Sequence, residues 1–226
     1  MSDKERLVAL RDRQLSLIAK LSQFCDHDFD QDEAAGGRKS DNQARLEAEL
    51  TAKGVVPHAF VRVPQDYYER DLEWRRACLS AESILHLCKS IVMENTKIEE
   101  DVPGCPKYCC VIVQYAARLH AEKLKRLMHK QHKEEGGVLG IKSFNMRLAP
   151  EEVSTRLTGF EHNAVTPIYS AAPDMPIVLS HRIAELGATD SFMWLGAGET
   201  DLKVGFNVQD FIRAYNPMVV DCTYDT

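Results

Sequence analysis

The sequence lacks several features that would place it in well-known classes of protein. It has no hydrophobic run of the roughly 20 residues that a membrane-spanning helix needs. Its first segment, MSDKERLVALRDRQ, is charged and has no apolar stretch of the signal-peptide type. No P-loop, Gly-x-Ser-x-Gly or dinucleotide-binding fingerprint occurs. These absences predict a cytoplasmic protein without a membrane partner and argue against the enzyme classes that those motifs mark.

Net positive charge and metal-type cysteine spacing are also absent. The 28 Lys and Arg residues are outnumbered by 34 Asp and Glu residues, which gives a net charge of −6. A nucleic-acid partner would therefore need a local basic patch on an acidic protein. Seven cysteines without a secretory signal predict reduced thiols. Cys105, Cys109 and Cys110 have no Cys-x-x-Cys spacing, so we expect neither a metal site nor a cofactor.

What the chain does contain is typical of one globular domain with an appendage. Its 226 residues are 44% hydrophobic and 27% charged. Apolar residues at alternating spacings of three and four predict a helix over residues 3–24, and a second helix is expected from Ser40 or Asp41 to Lys53. The two form either an antiparallel hairpin or a coiled coil that makes a homodimer through residues 3–53. We therefore predict a helical extension over residues 1–55 and the main domain over residues 56–226.

The main domain mixes strand and helix patterns without strict alternation, which predicts an α+β fold with a mixed sheet or barrel. A helix capped by Ser80 is expected to end at Lys89, with a strand beginning at Ser90. The other predicted strands are an edge strand over Val55–Pro64 and strands over Lys107–Tyr115, Ser143–Leu148, Val165–Ile168, Ile177–Leu179, Phe192–Leu195 and Leu202–Phe206. The other predicted helices are a short one within Asp66–Arg76, one over Ala116–His132, one opened by Ala149–Glu152, one beginning around Ser180 or His181, and a last one over Val208–Tyr215 capped by Asn207.

The last third carries two segments in which small and turn-forming residues stand beside polar ones. These are LTGFEHNAVTPIY (Leu157–Tyr169) and WLGAGETDLKVG (Trp194–Gly205). Glycine lets the backbone approach a ligand closely, so two such loops can form two walls of a small-molecule pocket. Taken singly, each segment is more often an ordinary turn. The candidate pocket residues are Thr158, Gly159, His162, Asn163, Thr166, Pro167, Gly196, Gly198 and Asp201.

These segments resemble the YbaK / prolyl-tRNA-synthetase-associated domain family, whose members remove wrong amino acids from tRNA. The family has a lysine on an early helix, a Gly-x-x-x-Pro loop and a late Gly-Gly/Asp segment. Lys89, Asn163–Pro167 and LGAGETDLK from Leu195 fall on these three positions. The resemblance covers roughly residues 83–215 and extends to a eukaryotic string, RLAPEEVSxxLTGxEHN, matched by Arg147–Asn163. Asn163 departs from the first glycine of the loop motif.

The resemblance implies a YbaK-like fold, aminoacyl-tRNA as substrate and hydrolysis of its ester bond. It implies that Lys89 positions the substrate, although the residues alone favour a solvated lysine. The glycines would offer backbone N–H groups, and Asp201 would either bind the substrate's α-ammonium or brace its loop. His162 is a candidate for orienting a water molecule, because histidine changes charge near neutral pH, and is otherwise a plain loop residue.

One predicted helix has a basic face. The candidates for contact with tRNA phosphates are Arg118, Lys123, Lys125, Arg126 and Lys130. The alternative is a solvated helix surface. A second functional hypothesis also stays open: a non-catalytic binding module that docks to an aminoacyl-tRNA synthetase or another protein through its N-terminal helices.

Overall fold

The computed structural model describes residues 39–187 and 192–224. The predicted helix over residues 3–24 lies outside the described residues. Within them the chain forms eight strands: β1 His58–Arg62, β2 Cys88–Asn95, β3 Tyr108–Gln114, β4 Met146–Leu148, β5 Ile177–Ser180, β6 Phe192–Gly196, β7 Leu202–Asn207 and β8 Met218–Val220. It also forms six α-helices: α1 Asp41–Ala52, α2 Leu72–Cys78, α3 Ala121–Glu134, α4 Glu151–Thr158, α5 His181–Leu186 and α6 Val208–Tyr215. The α+β class is confirmed.

The strands form two sheets that lie side by side. A three-stranded antiparallel sheet has the order β1-β7-β6, and a five-stranded mixed sheet has the order β4-β2-β3-β5-β8. In the larger sheet β4, β2 and β3 are antiparallel, whereas β3, β5 and β8 are parallel. A single bridge between Leu87 and Trp194 joins the two sheets where β2 begins. This junction positions the candidate site.

The central strand β3 explains why the larger sheet is stable. Its sequence, YCCVIVQ, is rich in residues that favour strands, and six of its seven residues are buried. Buried β-branched side chains pack on both faces of the sheet. One face packs under α3 through Leu124 and Met128, and the other packs against α1, α5 and α6.

Helix α1 forms as predicted and belongs to this packing. The Ser40 side chain accepts a hydrogen bond from the N–H of Gln43, as an N-cap does. Leu46 and Leu50 are fully buried in the cluster that contains Phe206 and Phe211. The apolar face of α1 is therefore occupied by the main core. The boundary at residue 55 stays a prediction, as does a dimer through residues 3–53.

The structure corrects three predicted elements and adds one strand. The segment before Lys89 is a single turn of 3-10 helix, Ile84–His86, and Lys89 lies on β2 rather than on a helix. The expected strand over residues 165–168 is a loop, because Thr166 and Ile168 are buried without pairing to a neighbouring strand. The helix expected from Ala116 begins at Ala121. Strand β8 was not predicted from its short apolar run.

No helix within residues 39–187 and 192–224 combines the length and the apolar character that a membrane span requires.

Candidate functional site

The candidate site lies along an uncovered edge of β2. Strand β4 pairs only with Met93–Asn95, at the far end of β2. The N–H of Ala149 donates a hydrogen bond to the carbonyl of Val92, so the backbone groups of Val92 face away from β3. In an antiparallel ladder alternate residues direct their backbone groups to the same side. The backbone groups of Ser90 therefore face the same way, beyond the reach of β4.

Two side chains of β2 add polar groups beside this edge. Lys89 is half-buried, and its Nζ lies 5.5 Å from the centroid of the Tyr115 ring. The hydroxyl of Ser90 is buried and has no hydrogen-bond partner among the described residues. A buried hydroxyl without a partner is costly, so it is a natural contact for a ligand or a water molecule. The central sheet holds both residues rigidly.

The loop that carries His162 and Asn163 forms the facing wall. Asn163 has a φ of 65°, in the left-handed region. Asparagine tolerates this conformation better than other residues with a side chain. The hydroxyl of Tyr68 donates a 2.7 Å hydrogen bond to the carbonyl of Asn163. On the far side of the loop the N–H of Gly198 donates to the carbonyl of Ala164 at 3.0 Å. The loop is thus held from both sides.

Gly196, at the end of β6, makes close approach of this loop feasible. A Cβ atom placed on Gly196 would lie 3.1 Å from the carbonyl oxygen of Val165 and 3.4 Å from the backbone of Ala164. Such a contact is tighter than most Cβ atoms make, so the loop would have to shift by a few tenths of an ångström. Glycine therefore favours the close approach of the two backbones here.

These elements enclose a cavity of about 340 Å³. It is lined by residues from the segment before α2, β2, the end of β3, the β4–α4 connection, α4, the loop and β6: Tyr68, Lys89, Ser90, Ile91, Val92, Tyr115, Leu148, Ala149, Glu151, Ser154, Thr155, His162, Asn163, Val165 and Gly196. The structure thus brings together four of the residues predicted from sequence, namely Lys89, His162, Asn163 and Gly196. The volume of the cavity suits a small ligand such as an amino acid.

The charges of the cavity are few and of opposite sign. Lys89 supplies the cation, and Glu151, in the first turn of α4, supplies a carboxylate. Glu151 is exposed and makes no ion pair within the described part of the chain. A carboxylate in the first turn of a helix is favoured by the helix dipole. An ammonium group and an ester carbonyl on one small ligand would find complementary partners here.

Two tyrosines beside Lys89 remain neutral hydrogen-bonding groups. Burial raises the pKa of Tyr68, and the nearby Tyr115 hydroxyl raises it further. Burial likewise raises the pKa of Tyr115, against the opposing effects of a hydrogen bond with Tyr68 and of the Arg75 guanidinium. Arg75 lies 5.5 Å from the ring centroids of both tyrosines and donates a 2.6 Å hydrogen bond to the carbonyl of Tyr68. The phenols can therefore donate and accept hydrogen bonds across the physiological pH range.

Three of the predicted pocket residues support the fold beside the cavity. The Thr158 hydroxyl is buried and donates to the carbonyl of Ser154 at 2.8 Å. Gly159 ends α4 with a φ of 82°, a left-handed conformation that favours glycine. Thr166 is fully buried, and its hydroxyl accepts a 3.4 Å hydrogen bond from the N–H of Ile168. None of the three lines the cavity.

The remaining three lie outside the cavity as well. Pro167 lines a separate open groove of about 910 Å³. Gly198 has a φ of 80° and packs against Phe160, where a Cβ would lie 2.8 Å from the ring. Asp201 forms a 2.8 Å ion pair with Arg62, and Arg62 also pairs with Glu199 at 2.8 Å. Of the two roles considered for Asp201, its contacts match the bracing of a loop.

The basic face is partly neutralised by neighbouring acids. Ion pairs join Lys123 to Asp221 at 2.8 Å, Lys125 to Glu122 at 3.4 Å and Lys130 to Glu134 at 3.7 Å. Arg118 precedes α3, and its guanidinium lies 5.4 Å from the centroid of the Tyr224 ring. Arg126 is exposed. Contact of this face with tRNA stays a prediction.

Sequence reasoning missed several residues of the cavity. Tyr68 and Tyr115 belong to no motif that glycines or prolines mark, and Glu151 lies in the matched string Arg147–Asn163 without being predicted as a pocket residue. Their proximity follows from the pairing of β2 with β3 and from the turn between β4 and α4. The one available signal was the helix-opening sequence Ala-Pro-Glu-Glu, which placed Glu151 at a helix N-terminus without indicating what it faces.

In residues 39–187 and 192–224, no group of three or more His, Cys, Asp or Glu side chains is arranged to hold a metal ion.

Comparison with known proteins bears on the fold. No protein-family model and no curated protein matches the sequence. A proposed trans-editing enzyme for prolyl-tRNA synthetase matches with a TM-score of 0.61 and 20% identity, over 83% of this chain and 100% of that chain. A scaffold protein used for computational epitope grafting matches with a TM-score of 0.61 and 17% identity, over 83% and 100% of the two chains. A hypothetical protein matches with a TM-score of 0.57 and 16% identity, over 80% and 99%. The fold is therefore a YbaK-like mixed α+β fold, as predicted.

Proposed function

We propose that the protein hydrolyses the ester bond of mischarged aminoacyl-tRNA. The observation that carries the proposal is the convergence of Lys89, Glu151 and the Asn163 loop on one cavity of about 340 Å³. An aminoacyl ester carries an α-ammonium group, an ester carbonyl and the phosphates of the tRNA end. The carboxylate of Glu151 suits the first of these, and the ammonium of Lys89 suits either of the others. The fold shared with a proposed trans-editing enzyme agrees with this assignment.

The reaction needs no protein nucleophile, because the ester is already activated. Water attacks the ester carbonyl carbon, the bond to the ribose oxygen breaks, and that oxygen takes up a proton. Lys89 and the backbone N–H groups at the uncovered edge of β2 would stabilise the negative charge that develops on the carbonyl oxygen. His162, which lines the cavity, and the buried Ser90 hydroxyl, which has no other partner among the described residues, would orient the water.

The test is deacylation of a panel of mischarged tRNAs carrying alanyl, seryl and cysteinyl esters. Removing Lys89 as Lys89→Ala is expected to lower kcat by about 10²–10³-fold, as loss of one group that stabilises an oxyanion does. Lys97→Ala is the matched control, because Lys97 is an exposed lysine just beyond the other end of the same strand. Circular dichroism checks that both variants fold.

The same measurement decides the alternative function. Hydrolysis of none of the esters above the uncatalysed rate, together with saturable binding of a non-hydrolysable aminoacyl-tRNA analogue, would establish a binding module. If the wild type hydrolyses an ester and Lys89→Ala hydrolyses it equally fast, the catalytic role of Lys89 is rejected. Contact with a synthetase would then be sought by co-purification with and without residues 1–38.

The carboxylate of Glu151 gives a second, independent check. We expect Glu151→Gln to raise KM for aminoacyl-tRNA more than it lowers kcat, because the α-ammonium is bound equally in the substrate and in the transition state. Glu152→Gln, the adjacent exposed residue that does not line the cavity, serves as the control. Equal kinetics for the two variants would place the ammonium elsewhere.

A further inference from the structure

Behind the loop wall of the cavity lies a buried lysine that the proposed reaction does not use. Lys203, on β7, is only 4% exposed. Its Nζ donates 2.8 Å hydrogen bonds to the Tyr68 hydroxyl and to the carbonyl of Thr200. The Nζ also lies 4.6 Å from the centroid of the Tyr68 ring and 5.2 Å from that of Tyr67. A lysine is seldom this buried, so its contacts merit a functional explanation.

The contacts of Lys203 continue directly to the cavity. Tyr68 accepts the hydrogen bond from Lys203 and donates its own hydroxyl proton to the carbonyl of Asn163. Two consecutive hydrogen bonds, of 2.8 and 2.7 Å, thus run from the buried amine to the backbone of the loop. Lys203 also pairs with Gly196 across the β6–β7 ladder, so both ends of this connection lie against cavity residues.

The surroundings of Lys203 make its charge sensitive to pH. Burial lowers the pKa of Lys203 to about 8, and the Arg75 guanidinium acts in the same direction, against the attraction of Asp201 and Cys78. The titratable and charged groups that face it come from the 3-10 turn before α2, from α2, from the end of β3 and from the turn before β7: Tyr67, Tyr68, Arg75, Cys78, Tyr115 and Asp201.

We propose that Lys203 is a positioning residue of the cavity, which acts through the Tyr68 hydroxyl on the backbone carbonyl of Asn163. The ammonium polarises the phenol and strengthens its donation to Asn163, since consecutive hydrogen bonds reinforce one another. This bond holds Asn163 in the left-handed conformation that sets the loop wall. The catalytic consequence rests on the proposed deacylase function, whereas the structural link does not.

The kinetic test uses three substitutions and one control. Tyr68→Phe and Lys203→Met are each expected to lower kcat roughly 3- to 10-fold, the loss of about one hydrogen bond, with little change in KM for a substrate held mainly through its phosphates. Tyr67→Phe is the matched control: Tyr67 is the adjacent buried tyrosine, and its hydroxyl makes no hydrogen bond to the loop. Lys203→Arg keeps the donor and the charge and should restore most of the activity.

The pH dependence separates positioning from simple support of the fold. In the wild type, kcat corrected for spontaneous hydrolysis should decline as the pH rises through about 8, because Lys203 loses its proton there. This decline should be absent in both variants, at low activity in Lys203→Met, which has no charge to lose, and at near wild-type activity in Lys203→Arg, whose guanidinium stays protonated. A Tyr68→Phe variant with the kcat and pH profile of the wild type would overturn the proposal.

A spectroscopic readout tests the link without any substrate. The backbone ¹⁵N shift of Ala164 reports hydrogen bonding at the Asn163 carbonyl, since both belong to one peptide group. We expect this signal to titrate near pH 8 in the wild type and not in Lys203→Met or Tyr68→Phe, with Tyr67→Phe like the wild type. A titrating signal without deacylase activity would reject the proposed function and keep the positioning link. An Ala164 signal that titrates in both variants as it does in the wild type would reject the link itself.

Discussion

Asn163 illustrates how a departure from a motif can preserve its geometry. The family motif has glycine at this position, so a different residue would be expected to change the shape of the pocket. With a φ of 65°, Asn163 adopts the left-handed conformation that glycine supplies elsewhere. Asparagine is the common substitute there because its short polar side chain tolerates this region. The departure therefore changes the side chain at the cavity wall more than it changes the backbone path.

A pair of substitutions at Asn163 separates these two effects. Asn163→Gly should keep the free energy of unfolding within about 0.5 kcal/mol of the wild type, while Asn163→Val should lower it by roughly 1–2 kcal/mol, since a β-branched residue is strained at positive φ. Chemical denaturation measures both, and the ester panel shows whether the glycine variant accepts a different amino acid. Equal stability of the glycine and valine variants would contradict a left-handed Asn163.

The candidate site was only partly predictable at the residue scale. Lys89, His162, Asn163 and Gly196 were identified through motif spacing, because glycine, proline and asparagine mark turns in the sequence itself. Tyr68 and Lys203 were not identified, because the sequence does not show whether a tyrosine or a lysine is solvated or hydrogen-bonded inside a core. Their significance comes from burial and from distances of 2.7–2.8 Å, which depend on the pairing of β6, β7 and β1.

At the scale of elements, the start of β2 shows why the segment at Lys89 was predicted as a helix. Ile84, Leu85, Leu87 and Cys88 have a spacing that suits a helix face. The helical turn ends at His86. The His86 side chain accepts a hydrogen bond from the N–H of Ser83, and the Ser83 side chain caps the start of the turn. From Cys88 the alternation of buried and half-buried residues is that of a strand. A pattern of four residues cannot distinguish the two periods, and pairing with β3 decides the outcome.

Helix α6 was predicted with its exact limits, because its N-cap is marked in the sequence. The Asn207 side chain accepts hydrogen bonds from the N–H groups of Gln209 and Asp210, at 2.8 and 3.1 Å. Asn207→Ala should lower the free energy of unfolding by about 1–2 kcal/mol, whereas Asn207→Asp should keep it close to the wild-type value. Thermal and denaturant unfolding provide the measurement. Deacylation is the internal control, since α6 does not line the cavity and kcat should not change.

At the scale of the whole molecule, Lys203 predicts a distinctive dependence of stability on pH. Its pKa in the folded protein is about 8, below the ordinary value of 10.5. Between these values the unfolded chain binds more protons, so stability rises with pH across this window, by up to about 3 kcal/mol. Below pH 8 both states hold the proton and the contribution is constant.

The measurement is the difference in free energy of unfolding between the wild type and Lys203→Met from pH 7 to pH 10. Buried thiols such as Cys88, whose pKa is raised by burial, lower the stability as the pH rises. Because the wild type and the variant both contain these thiols, their effect cancels in the difference. We expect the wild type to gain stability relative to the variant as the pH rises. Replacement of the exposed Lys97 as Lys97→Met should give a flat difference, and a flat difference for Lys203→Met as well would contradict a desolvated amine.

The acidic molecule must also bind a polyanion if the proposed function is right. Phosphate contacts would come either from the basic residues of α3 or from Arg147 and Arg156, which are exposed on the elements that line the cavity. We expect neutralising Lys125, Arg126 and Lys130 to weaken tRNA binding and to reduce the slope of log affinity against log salt by about one per lost contact.

The comparison variant is Arg147→Ala/Arg156→Ala, measured by filter binding over the same range of salt. If only this pair lowers the affinity and the salt slope, the predicted basic face of α3 is a solvated surface and tRNA approaches across β4 and α4. Unchanged slopes in both variants would count against a tRNA partner.

The pairing of β1 with β7 sets the order in which the protein can assemble during its own synthesis. β1 begins at His58, and its partner begins at Leu202. At the usual 5–20 residues per second, a nascent chain waits roughly 7 to 30 s between the two strands. Throughout that interval β1 has an unpaired edge, and Leu46 and Leu50 lack Phe206 and Phe211. We therefore expect folding to be post-translational and slow, and yields in a cell-free translation system to depend on chaperones.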